Sequence, residues 1–393
     1  MKILFYSPHP TLYLEAPTGY GSHMRGMIKG FREEGHTVVV LVMGKAPSTS
    51  TSSPRPSGLK GLAKKIIPKI IWRTLKEIQQ IRFDKYAAQE LQNAVQTFQP
   101  NLVYERSAWM SNGSVAVLSN FNIKHVVEVN APFEEEVQSF ENSSSLLASI
   151  GRMKFTHLLQ SATLVLPITS SLQDYLIGRY HLNSSKCFVV PNAIEHKEIQ
   201  VNESSVQTIK KEFNLTDKTV LGFVGSIFPY HGVERLIHAV AKTSNNNIAL
   251  LIVGDGFLIP DLKQLANELG ISANVHFTGS VSKENVYQYM AAMDILTLPN
   301  TEWYCSPVKL FEYGALGKPI LAVKEAGVSD VMTSEQGVLF DNNDQSFEEA
   351  LEYAVENLSL LDQKAKAFQR KILQQHSWRA NAANILQHLN SQS

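Results

Sequence analysis

Ser306-Pro307-Val308-Lys309-Leu310-Phe311-Glu312-Tyr313-Gly314-Ala315-Leu316-Gly317-Lys318-Pro319 is the stretch on which the reading of this chain turns. Ahead of it an apolar run, Asp294 to Leu298, ends in Pro299-Asn300, the mark of a buried parallel strand leaving its sheet. Ser306-Pro307 predicts a helix start, with Ser306 as N-cap and Pro307 as first helical residue. Gly317 closes that helix, and Lys318-Pro319 leads into the next apolar run, Ile320 to Val323. Strand, loop, helix, strand puts the helix N-terminus at the carboxyl edge of a parallel sheet, where ligands of open α/β folds bind. Free amides and the helix dipole at that spot favour a phosphate. Lys309 stands in the first turn, an unfavourable place for a cation unless an anion is bound. Glu312 lies one turn after Val308 on the same face. Its carboxylate can accept two hydroxyl hydrogen bonds, as from a ribose. Taken locally, the same residues also fit a solvated helix surface with an ordinary serine cap.

The chain has 393 residues, enough for two domains, and 44% of them are hydrophobic, enough to fill two cores. Lys plus Arg and Asp plus Glu are 36 each, so no global field draws nucleic acid or an acidic partner, and no basic stripe with interleaved aromatics runs across a domain. Cys187 and Cys305 are too few for a disulfide framework and fit a reducing cytosol. The apolar run after Met1 is too short for a signal-peptide core, and no run approaches a membrane span. These features predict a cytoplasmic protein, with room for a peripheral place on the inner face of a membrane.

Residues 2–7 read as a first strand, the loop through Thr18-Gly19-Tyr20-Gly21-Ser22 as its exit, and the next residues to about Glu34 as a helix, with Thr37 to Met43 completing a β–α–β unit. Gly19 and Gly21 permit close backbone approach, although Gly-x-Gly alone is most often a tight turn. Residues 46–58 are a low-complexity linker. In 59–82, Leu59, Leu62, Ala63, Ile66, Ile67, Ile70 and Ile71 recur at helical spacing among Lys60, Lys64, Lys65, Lys69, Arg73 and Lys76, with Pro68 expected to kink or split the helix. Such a basic amphipathic helix either packs on its own domain or lies on an anionic membrane. A helix from Asp84 to Phe98, a strand at 102–106, a helix from Ser107 to about Asn120 and a strand from His125 into Asn130 follow. Glu128 and Asn130 share one side of that strand. Helices over 146–160 and from Thr169 to about Arg179 flank a strand at 162–167, and Cys187 to Ala193 reads as the last strand of the first half. The second half restarts the pattern. A strand at 218–224 exits through Gly225-Ser226-Ile227-Phe228-Pro229-Tyr230-His231-Gly232 into a helix, a strand at 248–253 exits through Gly254-Asp255-Gly256, and a strand from Val275 exits at Val281. Helices over 282–292, 346–358, 361–375 and 379–389 complete it.

The run from Ser306 to Pro319 resembles the Ser-Pro-x-Lys-x-x-Glu-Tyr-x-Ala-x-Gly-Lys-Pro signature of the retaining glycosyltransferases of family 4. The likeness extends along nearly the whole chain, most clearly from 218 to 323. It implies an α/β chain with the GT-B fold: two Rossmann-like domains facing each other across a cleft, with a C-terminal helix crossing back to the first. The corresponding boundaries are 1–193 for an acceptor-binding domain and 194–376 for a nucleotide-sugar-binding domain, with 377–393 packing back on the first and Trp378 as its anchor.

The resemblance carries roles to particular residues. Glu312 falls on the glutamate that binds the donor ribose. The first glutamate of that motif falls on Tyr304, a departure, with Glu302 two residues too early to replace it. Gly19 and Gly21 fall on the glycine loop near the donor phosphate or the acceptor. Ser226 and His231, with Gly225, take the places of an Arg and a Lys that clamp the donor diphosphate. Val281 marks where backbone groups receive the base, and Asn130 stands where many members place a histidine. The implied activity is metal-independent transfer of a sugar, with retention, from a UDP- or GDP-linked donor to a glycan, glycolipid or small-molecule acceptor, with no cofactor. Val308 and Lys309 at the helix start, with His231, would stabilise the leaving diphosphate. Asn130 would bind sugar or acceptor, and Glu128 is the one candidate nucleophile for a double displacement. A non-catalytic nucleotide-sugar binder and a UDP-sugar epimerase are the alternatives.

Overall fold

The computed structural model describes residues 1–16, 18–46, 68–136, 145–195, 199–243, 245 and 247–391. The expected linker beyond Ala46 and the basic segment from Leu59 to Ile67 lie outside them. The chain divides into two units, Met1–Val190 with Asn381–Ser393, and Pro191–Ala380.

The first unit runs β1 (Lys2–Ser7), α1 (Gly19–Glu33), β2 (Thr37–Val42), α2 (Lys69–Phe98), β3 (Leu102–Arg106), α3 (Gly113–Leu118), β4 (Lys124–Val129), α4 (Ala148–Ser161), β5 (Leu164–Pro167) and α5 (Ser170–Tyr180). Its sheet has the order β2-β1-β3-β4-β5, and every pair is parallel. The order reverses direction between β1 and β3, the place where a doubly wound sheet opens a crevice at its carboxyl edge. Strands β3 and β5 are buried at every residue, as a sheet covered on both faces demands.

Pro68 is the N-cap of a 30-residue helix, and the part of the expected 59–82 helix that precedes it lies outside the described residues. Two expectations fail here. The helix expected from Ser107 begins only at Gly113. Met110 takes a positive φ of 64°, and the Asp84 carboxylate caps the Asn112 and Gly113 amides at 3.1 Å, which sets the true start. Residues 187–193 form no strand. Cys187 makes a single bridge to Val165, and Phe188 and Val190 donate to Val165 and Pro167 at alternate residues, so the stretch is extended but its ladder is not continued.

The second unit runs α6 (Glu203–Glu212), β6 (Thr219–Val224), α7 (Val233–Lys242), β7 (Ile248–Val253), α8 (Ile259–Glu268), β8 (Val275–Phe277), α9 (Lys283–Ala292), β9 (Ile295–Leu298), α10 (Val308–Leu316), β10 (Ile320–Val323), α11 (Ala326–Ser329), β11 (Val338–Phe340), α12 (Asp344–Glu356), α13 (Leu358–Gln375) and α14 (Trp378–Ser391), whose residues from Asn381 belong to the first unit. The parallel sheet has the order β11-β10-β9-β6-β7-β8. Alternation along the strands builds a core on each face. Val220, Val224, Ala249, Leu251 and Val253 enter one, and Leu221, Phe223, Leu250 and Ile252 the other. Helices α6 and α8 have no counterpart in the sequence reading, although Asn202 caps α6 through the Ser204 and Ser205 amides. Trp378 is buried. Among the described residues no helix is long and apolar enough to cross a membrane.

Candidate active site

In the second unit the loops leaving β6, β7 and β8 interlock through glycines. Gly225 has φ +134° and Gly254 φ +132°, and a Cβ on Gly254 would lie 2.0 Å from the Gly225 carbonyl oxygen. Ile227 donates to the Asp255 carbonyl at 2.9 Å and Gly254 to that of Gly279 at 3.0 Å. The expected sites Gly225, Ser226 and His231 therefore stand on one rigid edge. Val281 sits at the β8 end of it, partly buried against the core.

Helix α10 meets this edge from β9. Its N-cap is Pro307, in extended conformation, and not Ser306. The Ser306 hydroxyl instead accepts the Asn192 backbone N–H at 3.0 Å, and its carbonyl accepts the Asn192 side chain at 2.6 Å, so the serine ties the Pro191-Asn192 turn to the helix start. With no side-chain cap, the first-turn N–H groups of Val308 and Lys309 have no helical acceptor ahead of them. Further along, Tyr313 accepts the Val224 amide at 3.2 Å, and Gly314 leaves space for Phe368, which would lie 2.6 Å from a Cβ there. Gly317, at φ +67°, ends the helix as expected.

Lys309 folds back into the glycine loop. Its Nζ lies 2.9 Å from His231 Nε2 and 4.7 Å from the centre of the Phe223 ring. The ammonium donates and the ring nitrogen accepts, while Nδ1 is buried beside the Ser226 backbone. Burial, then the neighbouring Lys309, pushes His231 down to about 3. Burial lowers Lys309 to about 8 against the opposing pull of Glu312 and Cys305. Glu312 is raised to about 7 by burial, with Lys309 and Lys283 opposing. No hydrogen bond from a described residue reaches its partly buried carboxylate. An unfilled acceptor one turn from a desolvated cation is suited to a ligand bearing both hydroxyls and negative charge. Tyr304 is buried, edge-on to the exposed Trp303 with ring centres 5.4 Å apart.

Gly225 has to be glycine for this arrangement. A Cβ there would lie 2.3 Å from Lys309 Cε at a φ that side chains rarely adopt. Gly225→Ala is expected to cost about 1 kcal/mol or more of stability and to displace Lys309. Thermal melting and a UDP titration of the variant check both effects.

In the first unit a buried network occupies the carboxyl edge. The Glu128 carboxylate accepts His23 Nε2 at 2.8 Å, Arg106 Nη1 at 2.5 Å, Asn130 Nδ2 at 2.6 Å and the Tyr104 hydroxyl. Burial alone would raise its pKa, but His23 and Arg106 overcome that and hold it well below the usual carboxylate range. Glu128 and Asn130 are thus brought together as their spacing predicts. His23, Tyr104 and Arg106 are the residues the sequence reading missed. Arg106 ends β3 in register with Glu128 on β4, a pairing that the sheet supplies and the sequence does not record. Gly19 and Gly21 open α1, one turn before His23. Gly21 is forced by the Ala16 carbonyl, 2.2 Å from a Cβ there, whereas Gly19 faces open space.

Known proteins show the same organisation. A model of Glycosyltransferase Family 4 matches residues 17–198, and one of Glycosyl transferases group 1 matches 205–371. An uncharacterized glycosyltransferase of Methanocaldococcus jannaschii is 21% identical over 374 residues, 92% of this chain and 91% of the relative. A 2-deoxystreptamine glucosyltransferase of Streptomyces kanamyceticus is 28% identical over 148 residues, 37% of this chain and 38% of the relative. Among solved structures, HepE of Anabaena in complex with UDP aligns at a TM-score of 0.74 with 17% identity, covering 100% of both chains. Sucrose-phosphate synthase of Thermosynechococcus elongatus aligns at 0.72 with 16% identity, covering 100% of this chain and 98% of that one. Two parallel-sheet units of this topology, each taken up by its own family model, make the conclusion plain: the chain belongs to the family 4 glycosyltransferases and has the GT-B fold.

Proposed function

We propose that the protein transfers a sugar, with retention of anomeric configuration and without a metal ion, from a nucleotide-sugar donor held by the second unit to a carbohydrate, lipid-linked or small-molecule acceptor, in the cytoplasm. The observation that carries this reading is the pairing of Lys309 with Glu312 on the first turns of α10. One is a desolvated cation beside His231, the other a carboxylate awaiting hydroxyl donors. In this reading the Val308 and Lys309 amides and the Lys309 ammonium hold the diphosphate, His231 positions that ammonium and Ser226 adds a hydrogen bond from the glycine loop, Glu312 takes the ribose, and the edge at Val281 receives the base. Tyr304 lines the donor sugar, Gly19 and Gly21 approach the phosphate or acceptor, and Asn130 binds sugar or acceptor. UDP or GDP is the carrier, a proposal supported by the likeness to a fold solved with UDP.

The retaining route follows from the state of Glu128. Both of its oxygens are already engaged, which suits front-face attack, with a donor phosphate oxygen taking the acceptor proton, better than a glutamyl intermediate. A trapped covalent glycosyl-enzyme would refute this, and loss of activity on chelator treatment would refute metal independence.

Thermal stabilisation by UDP, GDP, ADP and CMP tests the donor site. A nucleotide at 100 times its dissociation constant adds about 2.7 kcal/mol. One of the four is expected to shift the melting temperature, and Glu312→Ala to remove that shift. No shift with any nucleotide would point instead to a non-catalytic relative.

A peripheral contact with anionic membrane is part of the proposal, favoured by exposed Lys69, Ile71, Leu75 and Lys76 at the start of α2. Vesicle binding that survives removal of the basic charges over 59–82 would refute it.

A further inference from the structure

We infer that the first unit carries an anion site at the carboxyl edge of its sheet, built on Arg106, Ser7 and His9, and that it recognises a phosphate or carboxylate group of the acceptor. The assignment to the acceptor rests on the transferase reading above; the site itself does not.

Register puts Ser7 and Arg106 together, and His9 follows two residues after Ser7. Tyr6 on β1 pairs with Glu105 on β3, so Ser7 and Arg106 end neighbouring strands at one level. Two residues earlier, Phe5 and Tyr104 stack with ring centres 5.4 Å apart, which shows that these positions share a face. Arg106 is 8% exposed, and among the described residues its guanidinium engages only Glu128, through Nη1. The other N–H groups of its fork meet no acceptor there. Ser7 is 0% exposed, and among the described residues its hydroxyl has no hydrogen-bond partner. A buried, unpaired hydroxyl beside a buried, half-used arginine is a costly arrangement unless a ligand completes it.

His9, in the loop leaving β1, points to the same chemistry. The Thr11 backbone N–H donates to its Nδ1 at 3.2 Å, so in the neutral ring the proton sits on Nε2 as a donor. Burial and then Arg106 keep that ring neutral, down to about 4. Glu128 does not compete for the ligand. Its oxygens already accept His23, Tyr104, Arg106 and Asn130, and it acts on the site by fixing the guanidinium. A guanidinium, a ring N–H and a hydroxyl that can donate, with no free carboxylate among them, favour an oxyanion, and an arginine fork fits phosphate or carboxylate in two-point contact.

The test uses the full chain with the second unit saturated by UDP. Inorganic phosphate, glucose 6-phosphate and glucose are titrated calorimetrically, and vesicles of phosphatidylcholine with or without phosphatidylinositol are assayed by co-sedimentation. Glucose 6-phosphate or the anionic vesicles are expected to bind, and glucose is not. Binding of the former alone assigns a soluble phosphate, and binding of the latter alone a lipid headgroup. Arg106→Gln is expected to weaken that binding at least about tenfold, the loss of charge-assisted hydrogen bonds. Ser7→Ala, which removes a hydroxyl without a native partner and so spares the fold, is expected to weaken it about fivefold. UDP affinity should be unchanged in both. Absence of any anion binding by the parent, full binding by both variants, or anion binding abolished by Lys309→Ala rather than by Arg106→Gln would overturn the inference. Failure of the transferase reading is read separately, in the UDP titration itself.

Discussion

Lys309→Ala is expected to lower kcat for glycosyl transfer by about 100- to 1000-fold, the loss seen when a preorganised donor to a developing negative charge is removed. Charge develops on the leaving diphosphate as the glycosidic bond breaks. The ammonium is already in place, held between Gly225, Phe223 and His231, so no reorganisation is needed in the transition state. Partial burial strengthens the interaction. The pH dependence follows from the same geometry. Lys309 titrates near 8 in the free protein, and a bound diphosphate favours its charged form. Nucleotide affinity is therefore expected to fall as pH rises through about 8 in the parent and to stay flat over that range in Lys309→Ala. Steady-state kinetics and calorimetric titration across pH read the two effects. Unchanged kcat in the variant would remove Lys309 from the mechanism.

Glu128→Ala is expected to destabilise the first unit by about 3–5 kcal/mol, the cost of leaving a buried cation without its partner. Arg106 is the stranded group, and His23, Tyr104 and Asn130 lose their acceptor with it. At roughly 2–4 °C per kcal/mol for a unit of this size, the melting temperature should drop by about 10 °C. The sign with pH is fixed by the direction of the shift. The folded pKa lies below the unfolded value of about 4.3. The stabilisation is therefore complete above about 4.3 and is lost as pH falls toward the folded value, so the gap between parent and variant should close in acid. Melting curves at neutral and acid pH check this. A variant that melts with the parent at neutral pH would mean that the network is not holding the edge of the sheet.

The fold was legible because its signals are local. Apolar runs bounded by Gly, Pro and Asn mark parallel strands covered on both faces, and glycine loops follow the first strand of each half. Lys309 and Glu312 were readable because three residues on a helix determine their separation. Helix caps were less legible. Ser306 before Pro307 has the composition of a cap, but Asn192 takes its hydroxyl and carbonyl. The helix expected from Ser107 starts late because Asp84, from another helix, supplies the cap. In both cases a distant side chain outcompeted the local pattern, and nothing within a few residues records that.

What the sequence by itself determined is the class of the chain, its two α/β halves and the family signature from Ser306 to Pro319, since each depends on periodicity and short-range turn chemistry. Only the tertiary structure decided which side chains meet. Parallel pairing sets Ser7 beside Arg106 and Arg106 beside Glu128, and α1 delivers His23 to the same carboxylate from 105 residues away. The backbone of Gly225 yields its space to Lys309 in the same manner. Strand register and helix docking fix those distances, and they arise from burying two faces of a sheet at once, a constraint that no local window of residues contains.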